Sequence, residues 1–257
     1  IETTYALIKL CAEQGVDLIE LGVPFANSFT DGQVVLRSHE RALNNGVTFE
    51  DVIQMVQKLR TECAIPIVLL TDFSHSIKAR GIEYAVKQCK ESGIQGLLLH
   101  GLPPLYLKQY LEHSNTYGLT PIFSLYPNTS QEKILTTLSH CRGFVYLVSK
   151  YGRTGKPIDF CSPEITEFFA SVSQATHLPL MAGFGIKSLA DMNTIYAKHP
   201  IDGVIVGSVI CDIIEQALPE KSKIIQGVSD YLITVNEAKS IPYPQTRITQ
   251  ANNEYAS

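Results

Sequence analysis

The chain has 257 residues, of which 45% are hydrophobic and 18% charged, and a formal net charge of −4 at pH 7. This composition is typical of a globular protein with enough chain to bury one large core, and it offers no basic stripe for binding along a nucleic acid. Because no run of 18 apolar residues occurs and the N-terminus lacks a basic segment followed by an apolar one, we expect neither a transmembrane helix nor a signal peptide.

Short apolar runs alternate with amphipathic segments along the chain. The pattern predicts helices over 5–14 (ending at Gly15), 33–45, 49–61, 81–92, 104–113, 130–140, 163–174, 188–198 and 208–236. It predicts strands over 17–21, 66–70, 96–100, 120–124, 144–148, 179–182 and 203–206. Continuous apolar strands that alternate with helices indicate a parallel sheet covered on both faces, either wound open or closed into a barrel.

We favour an α/β fold of the (β/α)8 TIM-barrel class over an open sheet because of the phosphate site described below. Seven strands are predicted and a helix comes first, so the first strand of such a barrel is expected to be absent from this chain. Residues 1–239 are expected to form a single phosphate-binding barrel domain. The polar, proline-containing tail at 240–257 is expected to be flexible.

Six cysteines are scattered without a CxxC pair, and no histidine spacing completes a zinc site, so no metal site is predicted. We expect free thiols that pack as small apolar side chains, in a reducing cytoplasm. They are Cys11, Cys63, Cys89, Cys141, Cys161 and Cys211.

Glycine-rich turns follow the last three predicted strands. They lie at Gly152–Gly155, at Gly183–Gly185 and at Gly207 before Ser208. Glycine lets the backbone approach an anion closely, and a helix N-terminus such as that at Ser208 offers free N–H groups. Each turn alone could be only a tight strand–helix connection. Three at the same end of a barrel indicate a phosphate site, which recurs at this position in the fold.

Two carboxylates are candidates for acid–base chemistry. Glu20 lies one residue before the end of an otherwise apolar strand, where burial raises a carboxyl pKa and suits a group that gives and takes protons. A structural ion pair or a solvent-facing position is the alternative for Glu20. Asp31 lies in a turn-rich loop, where a turn residue or helix cap is the simpler interpretation.

Several runs resemble the tryptophan synthase alpha subunit family. The most specific is Asp17-Leu-Ile-Glu-Leu-Gly-Val-Pro-Phe25, followed by Asp31-Gly32 and Arg41-Ala-Leu-Asn-Asn-Gly-Val-Thr48. The resemblance continues through Gly143-Phe-Val-Tyr-Leu-Val-Ser149 and the glycine turns, to about residue 236. It implies a lyase of tryptophan biosynthesis that cleaves indole-3-glycerol phosphate to indole and glyceraldehyde 3-phosphate by a retro-aldol reaction.

The resemblance also implies roles for single residues. Glu20 would protonate indole C3, and Asp31 would stabilise the positive charge at the indole nitrogen and accept its proton. Thr154 would close over the site and hold Asp31, and Tyr146 would lie near the substrate. The phosphate would be bound by Gly155, Gly183, Gly185, Gly207 and Ser208.

The family implies no cofactor on this chain, with pyridoxal phosphate on a beta subunit and an alpha–beta heterotetramer as the assembly. Two alternatives stay open: a weakly active or inactive subunit that mainly regulates such a beta partner, and another phosphate-binding barrel enzyme such as an isomerase or aldolase. The chain departs from the family pattern at Ala26-Asn27-Ser28, Thr71–Ser74, Gly101, Lys150-Tyr151 and Arg153. The first departure lies in a segment that normally contacts the beta subunit.

Overall fold

A computed structural model describes residues 1–28, 31–148, 159–183 and 185–237. These residues contain seven β-strands: β1 Ile19–Gly22, β2 Ile67–Asp72, β3 Gly96–His100, β4 Thr120–Leu125, β5 Val145–Val148, β6 Leu180–Gly183 and β7 Gly203–Ile205. The α-helices are α1 Glu2–Glu13, α2 Gln33–Asn44, α3 Phe49–Leu59, α4 Ile82–Glu91, α5 Leu107–Tyr117, α6 Gln131–His140, α7 Pro163–Ala175, α8 Leu189–Lys198, α9 Ser208–Ala217 and α10 Lys221–Asn236. None of the described helices is long and apolar enough to cross a membrane.

The chain forms two compact units. The first comprises Ile1–Pro121 and Cys211–Ile233. In this unit β1, β2 and β3 pair in that order, all parallel, with Glu20 opposite Val68 and Leu70 opposite Leu98. Strands β2 and β3 are buried along almost their whole length, as expected for a sheet covered by helices.

Local sequence signals start and stop the helices of the first unit. Thr48 and Asp51 form a capping box at the start of α3, where each side chain binds the backbone N–H of the other. Gly15 follows α1 with a φ of 76°, and Gly118 caps α5 in the left-handed conformation. Both are positions where glycine avoids the steric cost that other residues meet.

The second unit comprises Ile122–Ile210 and the segment from Thr234 onward. In it β4, β5, β6 and β7 are parallel, and β5 pairs with β6 so that Val148 lies opposite Gly183. Helix α7 begins with Ser162 as its cap and a proline at its first turn, and α8 begins with a second capping box at Ser188 and Asp191.

The predicted elements all occur, with boundaries within a few residues, and a helix precedes the first strand as predicted. One detail was wrong: helix α5 continues to Tyr117 instead of ending near residue 113. The helices predicted over 208–236 are α9 and α10. Pro219 lies between them, and a proline cannot continue the hydrogen bonding of a helix.

The six cysteines are free thiols. Cys89 and Cys141 are buried, as expected for thiols in the core, whereas Cys161 is exposed and contradicts that expectation.

Candidate active site

Glu20 lies on a defined face of the first unit's sheet. Paired residues of parallel strands share a face, and side chains alternate along each strand. The registers therefore place Val68, Leu70 and Leu98 on the same face as Glu20. Val68 and Leu98 are buried. The sheet face that carries Glu20 is therefore apolar around it.

The environment of Glu20 favours its protonated form. Burial against these aliphatic side chains removes water from the carboxylate, and the charge of Asp31 adds repulsion, so the pKa of Glu20 rises from 4.5 to about 7. Glu20 can then exchange a proton near neutral pH, which is the property required of a general acid–base group.

Asp31 has the opposite environment. Its burial raises its pKa, but hydrogen bonds from His39 and Ser28 and the electrostatic influence of His39 and His100 outweigh that effect and hold the pKa of Asp31 below its ordinary value. The side chain is 17% exposed. Two interacting carboxyl groups therefore differ in pKa, with Glu20 protonated while Asp31 is ionised, and such a pair can supply an acid and an anionic acceptor together.

His39, on α2, connects Asp31 to the chain after β1. Its Nε2 lies 3.2 Å from Asp31 Oδ2, and its Nδ1 lies 3.4 Å from the backbone nitrogen of Phe25. The ring of Phe25 packs at 4.8 Å, centroid to centroid, on the imidazole. Helix α2 is in turn held by Arg37 and Arg41, which both bind Glu215 of α9.

A second carboxylate–imidazole pair lies at the end of β2. Asp72 Oδ1 accepts hydrogen bonds from the backbone N–H of His75 at 2.9 Å and from its Nδ1 at 2.7 Å. This pair caps a π-helical turn at Phe73–Ile77, which the sequence did not predict. Asp72 lies opposite His100 and beside Gly101, where the chain departs from the family pattern.

In the second unit, Tyr146 packs directly over the backbone of Gly183. The tyrosine is 5% exposed, and a Cβ at Gly183 would lie 2.5 Å from the Tyr146 hydroxyl. Since real Cβ atoms do not approach other atoms so closely, residue 183 has to be glycine while Tyr146 keeps this position.

Gly185, Gly207 and Ser208 follow the ends of β6 and β7. These strands are paired with Gly183 opposite Ile205, so the turns after them lie at one end of the sheet. Gly185 has a φ of 82°, and Gly207 has open space where a side chain would be. Ser208 is the first residue of α9, whose unsatisfied backbone N–H groups favour an anion.

The sequence did not single out His39 or His100 as neighbours of Asp31. A histidine eight residues after Asp31, on the next helix, was the available signal. Thr154 and Gly155 lie outside the described residues, as does Lys150. Within the described part of the chain, no group of three or more His, Cys, Asp or Glu is arranged to hold a metal ion.

Comparison with known proteins shows which family the chain is similar to. The sequence profile described as "Tryptophan synthase alpha chain" matches residues 1–240. The tryptophan synthase alpha chain of a Thermoanaerobacter species is 37% identical over 237 residues, which cover 92% of this chain and 88% of that protein. The corresponding protein of Geobacter sulfurreducens is 36% identical, covering 83% and 79%.

Solved structures give the same result. A chain from a Pyrococcus furiosus structure, described as the structural basis of mutual activation of the tryptophan synthase α2β2 complex, matches with a TM-score of 0.83 and 26% identity, covering 92% of both chains. The alpha chain from Legionella pneumophila matches with a TM-score of 0.80 and 29% identity, covering 92% of this chain and 86% of that one. These matches confirm the predicted TIM-barrel fold class. The chain belongs to the tryptophan synthase alpha chain family.

Proposed function

We propose that this chain is a carbon–carbon lyase of tryptophan biosynthesis that cleaves indole-3-glycerol phosphate to indole and glyceraldehyde 3-phosphate. The observation that carries the proposal is the pairing of Glu20, whose pKa is raised to about 7, with an Asp31 that stays ionised. Family membership gives the reaction, and nothing in the comparisons favours the alternative of a mainly regulatory subunit.

In the proposed mechanism Glu20 donates its proton to indole C3 while Asp31 accepts the proton of the indole nitrogen. The product of this step is an indolenine. Ionised Glu20 then accepts the proton of the C3′ hydroxyl as the C3–C3′ bond breaks, so that an aldehyde forms on the glycerol side and Glu20 regains its acid form. The electron pair of the broken bond returns to the ring, Asp31 gives its proton back to the ring nitrogen, and indole leaves.

We propose that the second unit supplies groups for the rest of the substrate. The backbone at Gly183, Gly185 and Gly207 and the start of α9 at Ser208 would bind the phosphate, because glycine exposes N–H groups and the helix dipole favours an anion. Tyr146, buried against Gly183, would contact the substrate near that point. Thr154 and Gly155 receive their roles from the family resemblance alone.

The proposal extends to the setting of the enzyme. We propose that residues 1–239 act as one domain, supported by a family match that spans residues 1–240. A crystal structure of the tryptophan synthase complex from Pyrococcus furiosus is among the structural neighbours, which supports assembly with a beta subunit. By the family resemblance, that subunit carries the pyridoxal phosphate and this chain needs no cofactor. The six free thiols are consistent with a cytoplasmic location.

The direct test is indole release from indole-3-glycerol phosphate by the parent and by the Glu20→Gln and Asp31→Asn variants. We expect each variant to lose at least about 100-fold in kcat, in line with loss of an acid–base group. Glu50→Gln is the matched control, because Glu50 is a partly buried carboxylate of the same unit that pairs with Arg80. It should retain most of the parent's activity.

The same assay with and without a beta subunit tests the partner. Stimulation of indole release would support assembly despite the altered segment at residues 26–28. If the folded parent released no indole in either condition but still bound glycerol phosphate, the lyase proposal would be wrong and a regulatory role would be favoured.

A further inference from the structure

The proposed chemistry needs an ionised Asp31 whose carboxylate is oriented toward the ring nitrogen of the substrate. This residue lies in a loop. A loop carboxylate gains a fixed direction only when neighbouring groups restrain it. His39 is such a neighbour: it lies on a helix, its side chain is 14% exposed, and its Nε2 is 3.2 Å from Asp31 Oδ2.

The other ring nitrogen decides what His39 can do. The backbone N–H of Phe25 donates to Nδ1 at 3.4 Å, so Nδ1 carries a lone pair and the neutral ring has its proton on Nε2. That proton points to Asp31. A backbone amide cannot change its role, so the hydrogen bond from Phe25 selects the tautomer that donates to the carboxylate.

Helix α2 is a suitable platform for this contact. Arg37 binds both carboxylate oxygens of Glu215, at 2.8 and 2.7 Å, and Arg41 binds the same carboxylate at 2.8 Å. The helix is therefore fixed to α9 on one side, while Phe25 packs on the imidazole on the other. Rigid secondary structure places a side chain more accurately than a loop does.

We propose that His39 is a positioning residue that, as its Nε2–H tautomer, holds Asp31 as an oriented anion able to accept the proton of the substrate's ring nitrogen. This inference rests on the proposed lyase function. His39 acts through Asp31 and takes no part in bond breaking itself.

Several other groups face Asp31. Ser28 donates a hydrogen bond, His100 contributes positive potential, and Glu20 repels it across the site. Cys211 of α9 also lies near Asp31: burial raises the pKa of its thiol, a hydrogen bond with Ser38 lowers it, and the Asp31 carboxylate adds to the rise. Because several groups stabilise the Asp31 carboxylate, loss of His39 should raise the pKa of Asp31 and change the orientation of its side chain. It should not abolish ionisation.

The test compares His39→Leu, which removes the donor, with His39→Asn, whose amide N–H can replace it. We expect His39→Leu to lower kcat about 10- to 100-fold with a smaller change in KM, the cost of a misplaced catalytic group. His39→Asn should recover much of the loss. His75→Leu is the matched control, since His75 pairs with Asp72 and packs on the same Phe25 ring.

The pH dependence of kcat separates this role from a structural one. Loss of a hydrogen-bond donor to the carboxylate raises the pKa of Asp31, so the acidic limb should move to higher pH in His39→Leu and stay in place in His75→Leu. An unchanged kcat and acidic limb in a folded His39→Leu protein, or equal losses in His39→Leu and His39→Asn, would overturn the proposal.

A spectroscopic measurement distinguishes failure of this inference from failure of the lyase function. The ¹⁵N shifts of the His39 ring report which nitrogen carries the proton, and the ¹³C shift of the Asp31 carboxyl reports its titration, both without turnover. Protonation on Nδ1 in the neutral protein, or an Asp31 titration identical in the parent and His39→Leu, would contradict the inference even if indole release were normal.

Discussion

Glu20 shows how a single side chain takes its chemistry from its neighbours. The carboxyl lies on the sheet face that carries aliphatic residues of β2 and β3, and its burial and the charge of Asp31 both disfavour its ionised form. In the unfolded chain those effects are absent. The effects that keep the proton on Glu20 for the proposed chemistry therefore also lower the stability of the folded state when the carboxyl ionises.

That relation predicts a pH-dependent effect of Glu20→Gln on stability. A carboxyl whose pKa rises from 4.5 to about 7 on folding stabilises the protonated folded state below pH 4.5, and that contribution is lost as the pH rises through 7. The variant cannot ionise. It should therefore match the parent near pH 4.5 and exceed it by up to about 3 kcal/mol at about pH 8.5.

Urea unfolding at the two pH values measures this difference. Glu50→Gln serves again as the control. The difference in unfolding free energy between this variant and the parent should have the opposite sign, because Arg80 holds the pKa of Glu50 below its ordinary value. A Glu20→Gln variant that is less stable than the parent at the higher pH would show that the ionised carboxylate is stabilised in the folded protein.

At the residue scale, sequence reasoning singled out Glu20 and Asp31 as candidate catalytic carboxylates but did not predict their surroundings. Glu20 could be singled out because burying a charged residue inside an apolar strand costs free energy. His39 could not, because its importance comes from contacts with Asp31 and the Phe25 backbone that no local pattern encodes. The glycine at 183 was predicted for phosphate binding, whereas its contact with Tyr146 is visible only in the structure.

At the element scale, glycine and capping signals predicted where most helices begin and end. Helix α5 was predicted too short because the apolar pattern weakens after residue 113, although the helix continues until Gly118 can adopt its left-handed cap. The π-helical turn after β2 was missed for a different reason. Five residues are too few to show a period, and the turn depends on the cap by Asp72.

One side chain joins several elements of the first unit. Arg60, just after α3, donates to the backbone carbonyls of Gly93, Cys63 and Ile65 and to the side chain of Gln95, which itself binds the backbone N–H at the start of β2. Backbone carbonyls that lose a partner inside a protein carry a desolvation cost.

We therefore expect Arg60→Met to lower the free energy of unfolding by about 2 kcal/mol or more, because methionine keeps much of the aliphatic contact but none of the donors. Lys87→Met is a fair comparison, since Lys87 forms an exposed ion pair with Glu91 at 3.9 Å and such pairs contribute about 0–1 kcal/mol. Equal effects of the two substitutions in denaturant titrations would show that the Arg60 contacts contribute little.

At the scale of the whole molecule, occupation of the proposed phosphate site should stabilise the fold. Glycerol phosphate at about 100 times its Kd would add about 2.7 kcal/mol, which corresponds to a rise of several degrees in Tm for a chain of this size. Differential scanning fluorimetry with and without glycerol phosphate measures that rise.

Gly207 provides matched variants for this measurement. The space around it accepts a Cβ, and aspartate is a favourable residue before a helix, so both Gly207→Ala and Gly207→Asp should fold. The alanine variant should keep part of the rise in Tm. The aspartate variant should lose it through charge repulsion, and a full rise in that variant would place the phosphate elsewhere.

The fold class and the family could be predicted from the sequence because both depend on features repeated along the chain: apolar strands at regular spacing, glycine turns after the last three, and the long run around Glu20. The proposed assembly with a beta subunit would depend instead on contacts between two chains, such as those that the family resemblance implies for residues 26–28, and a pattern within one chain does not encode such contacts.

The raised pKa of Glu20 also makes folding a reaction that consumes acid. Between pH 4.5 and 7 the unfolded chain has released this proton and the folded chain holds it, so folding takes up close to one hydrogen ion per molecule from the buffer. The heat measured on unfolding near pH 6 should therefore include the heat with which the buffer binds that ion, and should differ between phosphate and an amine buffer. In the Glu20→Gln protein that contribution to the buffer dependence should disappear.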